Sequence, residues 1–146
     1  MKIKRRGSAS WKGGLKDGRG SITTESGALQ AYPYGFASRF EGQKGTNPEE
    51  LLGAAHAACF TMAFSFACDA AGFETKNVDT KAAVRLVMKG GGFSIEHISL
   101  TLEATVPGID EATFQKIAAK AKADCPLSKA LASVPEIALT AVLRKG

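Results

Sequence analysis

Cys59, Cys68 and Cys125 are the residues of this chain best suited to covalent chemistry. A thiolate is a strong nucleophile, and a second thiol can convert its oxidised sulfenic acid to a disulfide. Cys59 lies within a long uncharged stretch and, by itself, reads as a small buried hydrophobe. Cys125 stands in Asp124-Cys125-Pro126, ahead of a proline that can open a helix. That is a cap position, where the helix dipole favours the thiolate. Cys68 follows Cys59 by nine residues, which at 100° per residue sends the two to opposite helix faces. It therefore reads as a packing residue. His56, one turn before Cys59, could assist a thiolate or hold a metal, but a hydrogen-bonded core histidine is the plainer reading.

Peroxide reduction would suit such thiols and sets further requirements. A free thiol, with a pKa of about 8.5, is mostly protonated at neutral pH, so a cation must stabilise the anion. Arginine fits because it stays charged, and a carboxylate can hold its planar fork. The residue types alone leave open which arginine that is.

The elements that must position these groups are partly legible. The first 45 residues are rich in Gly, Ser and Thr, with turn signals at Gly13-Gly14, Asp17-Gly18 and Ser26-Gly27. They predict short strands in a meander. At Asn47-Pro48-Glu49-Glu50 a cap residue precedes a proline at the first helical position, and Glu50 is placed to close a capping box onto Asn47. The helix carries no charge from Leu51 to Cys68 and ends near Gly72. Eighteen uncharged residues raise the question of a membrane span. The Ala, Gly, Ser, Thr and His content and the polar surroundings argue instead for a helix buried on every side. One small chain would not cover it, so dimer formation is expected.

Lys81 to Met88 reads as a strand and Gly90-Gly91-Gly92 as a hairpin turn. Ile98, Leu100, Leu102, Ala104 and Val106 then alternate with polar residues on a second strand. Asp110 caps a helix running to about Ala123, with Phe114, Ile117, Ala118 and Ala121 as its apolar stripe. A short helix follows Pro126, and a last strand runs from Glu136 to Leu143. The expected class is α+β, an antiparallel sheet with a long buried central helix.

The segments Arg39-Phe40-Glu41-Gly42, Gly45 to Phe60 and Cys125-Pro126-Leu127-Ser128-Lys129-Ala130-Leu131 resemble the OsmC/Ohr family, the osmotically inducible protein C and organic hydroperoxide resistance proteins. The resemblance is nearest to the OsmC branch and spans essentially the whole chain. It implies a single OsmC-like domain over residues 1–146, forming an intertwined homodimer with two active sites at the subunit interface. It implies Cys59 as the peroxidatic nucleophile and Cys125 as the resolving thiol. Arg39 would pair with the Cys59 thiolate, and Glu49 would hold Arg39. It implies no metal or bound organic cofactor, with electrons coming from an external dithiol, lipoyl groups on proteins being one such class.

Length and composition agree with one ordinary globular domain, at 146 residues, 45% hydrophobic and 23% charged. The basic start, Met1 to Arg6, leads into Gly7-Ser8-Ala9-Ser10-Trp11 with no apolar region behind it, unlike a secretory signal. Three cysteines without such a signal point to a reducing compartment, hence a cytoplasmic expectation with no membrane partner. A net charge of +5 keeps one alternative in view, a basic α+β nucleic-acid-binding module. The basic residues are scattered, however, and common RNA-binding motifs are missing. A metal site built from Cys59, Cys125 and His56 is a third reading, weakened by the lack of any CxxC spacing.

Overall fold

A computed structural model describes all 146 residues. Its contacts divide at Leu51 into two compact units, Met1–Leu51 and Leu52–Gly146.

In the first unit, β1 (Gly7–Lys12), β2 (Arg19–Thr24) and β3 (Tyr32–Tyr34) form an antiparallel sheet in that order, the expected meander. A one-and-a-half-turn helix, α1 (Phe36–Phe40), follows. The loop after it is tied down by Ser38, whose hydroxyl lies 2.9 Å from the Thr46 carbonyl oxygen. Gly45 lies against Ser38 with φ +137°, and a Cβ there would come within 2.9 Å of the Ser38 Cβ, so glycine is required. Asn47 Oδ1 accepts the Glu50 backbone N–H at 2.8 Å, the expected cap. The other half of the capping box does not form. Glu50 instead accepts a 2.6 Å bond from the buried Thr46 hydroxyl, a closer and desolvated donor.

The long helix α2 spans Pro48–Ala70. Gly72, at φ +87°, turns the chain while the Phe73 N–H bonds the Cys68 carbonyl at 2.9 Å, a glycine-based helix stop. In the second unit, β4 (Asn77–Lys89) pairs antiparallel with β5 (Gly92–Thr105). β4 starts at Asn77, ahead of the expected Lys81, because its polar first residues still find ladder partners, as in Asn77↔Thr105. Gly90 and Gly91, both at positive φ, make the hairpin turn. α3 (Glu111–Asp124) begins at Asp110, whose carboxylate accepts the Thr113 N–H. α4 (Pro126–Ala130) and β6 (Glu136–Leu143) complete the chain. β6 lies parallel to β5, so the antiparallel expectation holds for β4 and β5 but not for the third strand. The reason is connectivity. The chain returns to the sheet through α3 and α4, a helical crossover that brings it back in the same direction.

The core of this unit is the alternating face Ile98, Leu100, Leu102, Ala104, together with Phe114, Ala118 and Ala121 of α3 and Phe60, Phe64 and Cys68 of α2. Phe64 meets Phe114 edge-on at 5.6 Å, a favoured aromatic geometry. α2 is long and apolar enough to cross a membrane by length and composition. One stripe of it, Gly53, His56, Phe60, Phe64 and Cys68, is buried. Met62 and Phe66, about 76% and 77% exposed, stand on the opposite side. Burial on every side is thus not reached within one chain, because a helix laid on a sheet buries only the stripe that faces it.

Candidate active site

Within the second unit, Cys59 projects from the middle of α2 and Cys125 sits between α3 and α4. Their sulfurs are 3.2 Å apart, with both cysteines free thiols. Cys125 is fully buried and Cys59 partly exposed. Cys59 opens on a groove of about 750 Å³ that is also lined by Met62, Phe66, Ile117, Lys120 and Pro126. This groove is mainly apolar, as a site for a small organic molecule usually is.

Electrostatics treats the two sulfurs differently. Burial pushes the Cys59 thiol up, and its contact with Cys125 adds to that, against one favourable bond from the Leu127 N–H. Burial also opposes ionisation of Cys125. The Ser128 N–H, the Cys59 thiol, the Ser128 hydroxyl and the Leu127 N–H together outweigh it and hold the Cys125 pKa below its ordinary value. Hydrogen bonding to the charged form outweighs desolvation there. Cys68 lies deep in the core, pushed up to about 11 by burial and by Asp69, and is inert at neutral pH.

His56 is fully buried, and its Nε2 lies 2.9 Å from Ser128 Oγ. Burial lowers its pKa, so it is neutral near pH 7. It is the hydrogen-bonded core histidine expected from the sequence. No group of three or more His, Cys, Asp or Glu side chains is arranged to hold a metal ion. Nothing in the sequence marks Ser128 except its place three residues after a capping Cys125.

Within the first unit, Arg39 on α1 and Glu49 in the first turn of α2 form a two-pronged ion pair. Arg39 donates through Nε and Nη2 to Glu49 Oε1 at 3.0 and 2.6 Å. The Glu49 carboxylate is largely buried, at 12% exposure. This geometry fixes the guanidinium plane and leaves Nη1 unengaged by Glu49. Arg39 also lies over the Phe40 ring. A small cleft of about 210 Å³ beside it is lined by Trp11, Tyr34, Phe36 and Phe40.

An α+β fold that brings a core-helix thiol and a Cys-Pro thiol to bonding distance defines a dithiol protein able to close a disulfide between them. Known proteins resemble the chain in sequence and in fold. The family model described as OsmC-like protein matches residues 41–140. The chain is 54% identical over 131 residues to the peroxiredoxin OsmC of Escherichia coli, covering 90% of this chain and 92% of that one. It is 31% identical over 112 residues to the organic hydroperoxide resistance protein OhrB of Bacillus subtilis, with 76% and 80% covered. The crystal structure of an organic hydroperoxide resistance protein from Elizabethkingia anophelis superposes with a TM-score of 0.72 at 27% identity, over 99% of this chain and 100% of that one. The chain belongs to the OsmC family.

Proposed function

We propose that this chain is a thiol-dependent peroxidase that reduces organic hydroperoxides to alcohols, with Cys59 as nucleophile and Cys125 as resolving thiol. The observation that carries the reading is the 3.2 Å approach of two sulfurs set 66 positions apart. The names of its relatives, peroxiredoxin and organic hydroperoxide resistance protein, agree with it. The Cys59 thiolate attacks one peroxide oxygen. The O–O bond breaks, the alkoxide leaves and takes a proton to become the alcohol, and Cys59 becomes a sulfenic acid. Cys125 then closes the disulfide with release of water, and an external dithiol, lipoyl-type groups being one candidate, restores both thiols.

Cys59 needs a cation, because burial and its neighbour raise its pKa. Arg39, held by Glu49, is the group we assign to that role, following the family resemblance. A homodimer is part of the same reading, supported by the uncovered Met62 and Phe66 side of α2, and so is a cytoplasmic location, where thiols stay reduced. The nucleic-acid alternative has no counterpart in the site or in the relatives.

The test is mass spectrometry after a stoichiometric dose of an alkyl hydroperoxide. A Cys59–Cys125 linkage with Cys68 free is expected, and Cys59→Ser should lose peroxide consumption. Full consumption by Cys59→Ser would refute the nucleophile assignment.

A further inference from the structure

A Cys59–Cys125 disulfide has two sulfurs that a reductant could attack, and the fold treats them unequally. Cys125 is fully buried, in the same core cluster as Phe114, Ala118 and Ala121. Cys59 is partly exposed and lines the 750 Å³ groove. Asp124 and Pro126, the residues on either side of Cys125 in the chain, also line that groove, while Cys125 itself does not. The Cys125 sulfur thus sits behind a wall made by its own neighbours. A separate cleft of about 650 Å³ is lined by Lys122, Ser128, Lys129 and Ile137 and by neither cysteine.

This asymmetry carries over to the oxidised protein. The sulfurs already stand 3.2 Å apart, and a bonded pair is about 2.05 Å apart. Closing the bond needs a movement of only about 1 Å, too small to bring Cys125 to the surface. The burial of Cys125 is made within one chain, so a second copy of the chain can add to it and cannot remove it.

We propose that the external dithiol attacks the Cys59 sulfur of the oxidised protein, with Cys125 as the leaving thiolate and the reductant held on Cys59 as a mixed disulfide. The inference rests on the peroxidase reading and deepens it, by giving its reductive half a point of attack. In the first exchange a reductant thiolate bonds to Cys59 Sγ as the Cys59–Cys125 bond breaks. The electron pair of that bond passes to Cys125 Sγ, which takes up a proton. The second reductant thiol, as thiolate, then attacks the reductant's own sulfur in the mixed disulfide. That closes the reductant's disulfide and returns Cys59 as a thiolate. The dithiol gives up two electrons and two protons, and the two cysteines receive them.

Cys59 therefore meets both substrates, as nucleophile toward the peroxide and as electrophile toward the reductant, whereas Cys125 meets only Cys59. Ionisation points the same way. Burial pushes the Cys59 thiol up, and hydrogen bonding holds Cys125 below its ordinary value. The more acidic thiol is the better leaving group in such an exchange.

The experiment starts from the full chain oxidised to its disulfide with diamide, so that the result does not depend on peroxide turnover. A brief, limiting dose of the monothiol 2-mercaptoethanol stalls exchange at the mixed disulfide. Acid quenching and peptide mapping by mass spectrometry then locate the adduct. It is expected on Cys59 several-fold over Cys125. An adduct on Cys125 equal to or above that on Cys59 overturns the proposal and leaves the peroxidase reading standing. A second arm compares the reduced single variants at pH 8 with an aromatic disulfide reagent. Cys125→Ser, which retains Cys59, is expected to react about ten-fold faster than Cys59→Ser, because access governs exchange along with ionisation. Acidity alone predicts the reverse order, so a faster Cys59→Ser also overturns the proposal. Should either variant fail to fold, the adduct map of the unsubstituted protein decides alone. If diamide forms the Cys59–Cys125 linkage and an alkyl hydroperoxide does not, the peroxidase reading falls while the adduct still decides the point of attack. No linkage with either oxidant overturns both.

Discussion

At the residue scale the two cysteines face opposite problems. Hydrogen bonding holds the Cys125 thiol below its ordinary value despite its burial, whereas burial pushes the Cys59 thiol up. The proposed nucleophile depends on a fixed positive charge, and the proposed source of it, Arg39, is held rigid by its fork to Glu49 at little entropic cost. Arg39→Lys keeps the charge and loses the fork. A roughly 100-fold fall in peroxide turnover is expected for it, the scale of losing one aligned electrostatic partner. Glu49→Gln should lower turnover in the same direction while Cys125 alkylation stays at the parent rate. Stopped-flow measurement of hydroperoxide consumption checks both, and parent-like turnover in Arg39→Lys would remove the fork from the mechanism.

At the scale of elements, α2 does two jobs with one sequence. Its buried stripe anchors the second unit, and Cys59 lies off that stripe, toward Met62 and Phe66, with which it lines the groove. Gly53 packs close to β4, since a Cβ there would lie 3.2 Å from the Ala82 carbonyl oxygen and 3.6 Å from Val84. Alanine gains about 1 kcal/mol of helix propensity over glycine, which can offset that tight contact. Valine adds two methyl groups facing the strand, and overpacking of this kind costs about 1–3 kcal/mol. Gly53→Val is therefore expected to lower stability to denaturant and Gly53→Ala to leave it nearly unchanged. Equal midpoints for Gly53→Val and the parent would show that the helix has room to shift.

For the whole molecule, the telling feature is the apolar side of α2 that one chain leaves open. Met62 and Phe66 are largely exposed, and a second copy is the occupant that the proposed homodimer supplies. Phe66→Glu should shift the protein toward monomer in sedimentation analysis, because burying a charge at an apolar contact is costly. A parent that sediments as a monomer throughout would refute the dimer. The net charge of +5 is spread along the chain rather than gathered in one run beyond the first six residues.

Local signals were enough to read much of this protein from its chain alone. The cap at Asn47, the stops at Gly72 and Gly90-Gly91, the alternation from Ile98 and the stripe on α3 are all short-range codes, written by propensity and periodicity. Cys125 ahead of Pro126 was legible for the same reason, and the motif around Cys59 named the family. Tertiary structure decided what short-range codes do not carry. It set the parallel entry of β6, the diversion of Glu50 to Thr46, the meeting of Cys59 with Cys125, and the bond from His56 to Ser128. Each of these depends on which distant or competing group arrives first at a buried position, and only the packed chain settles that competition.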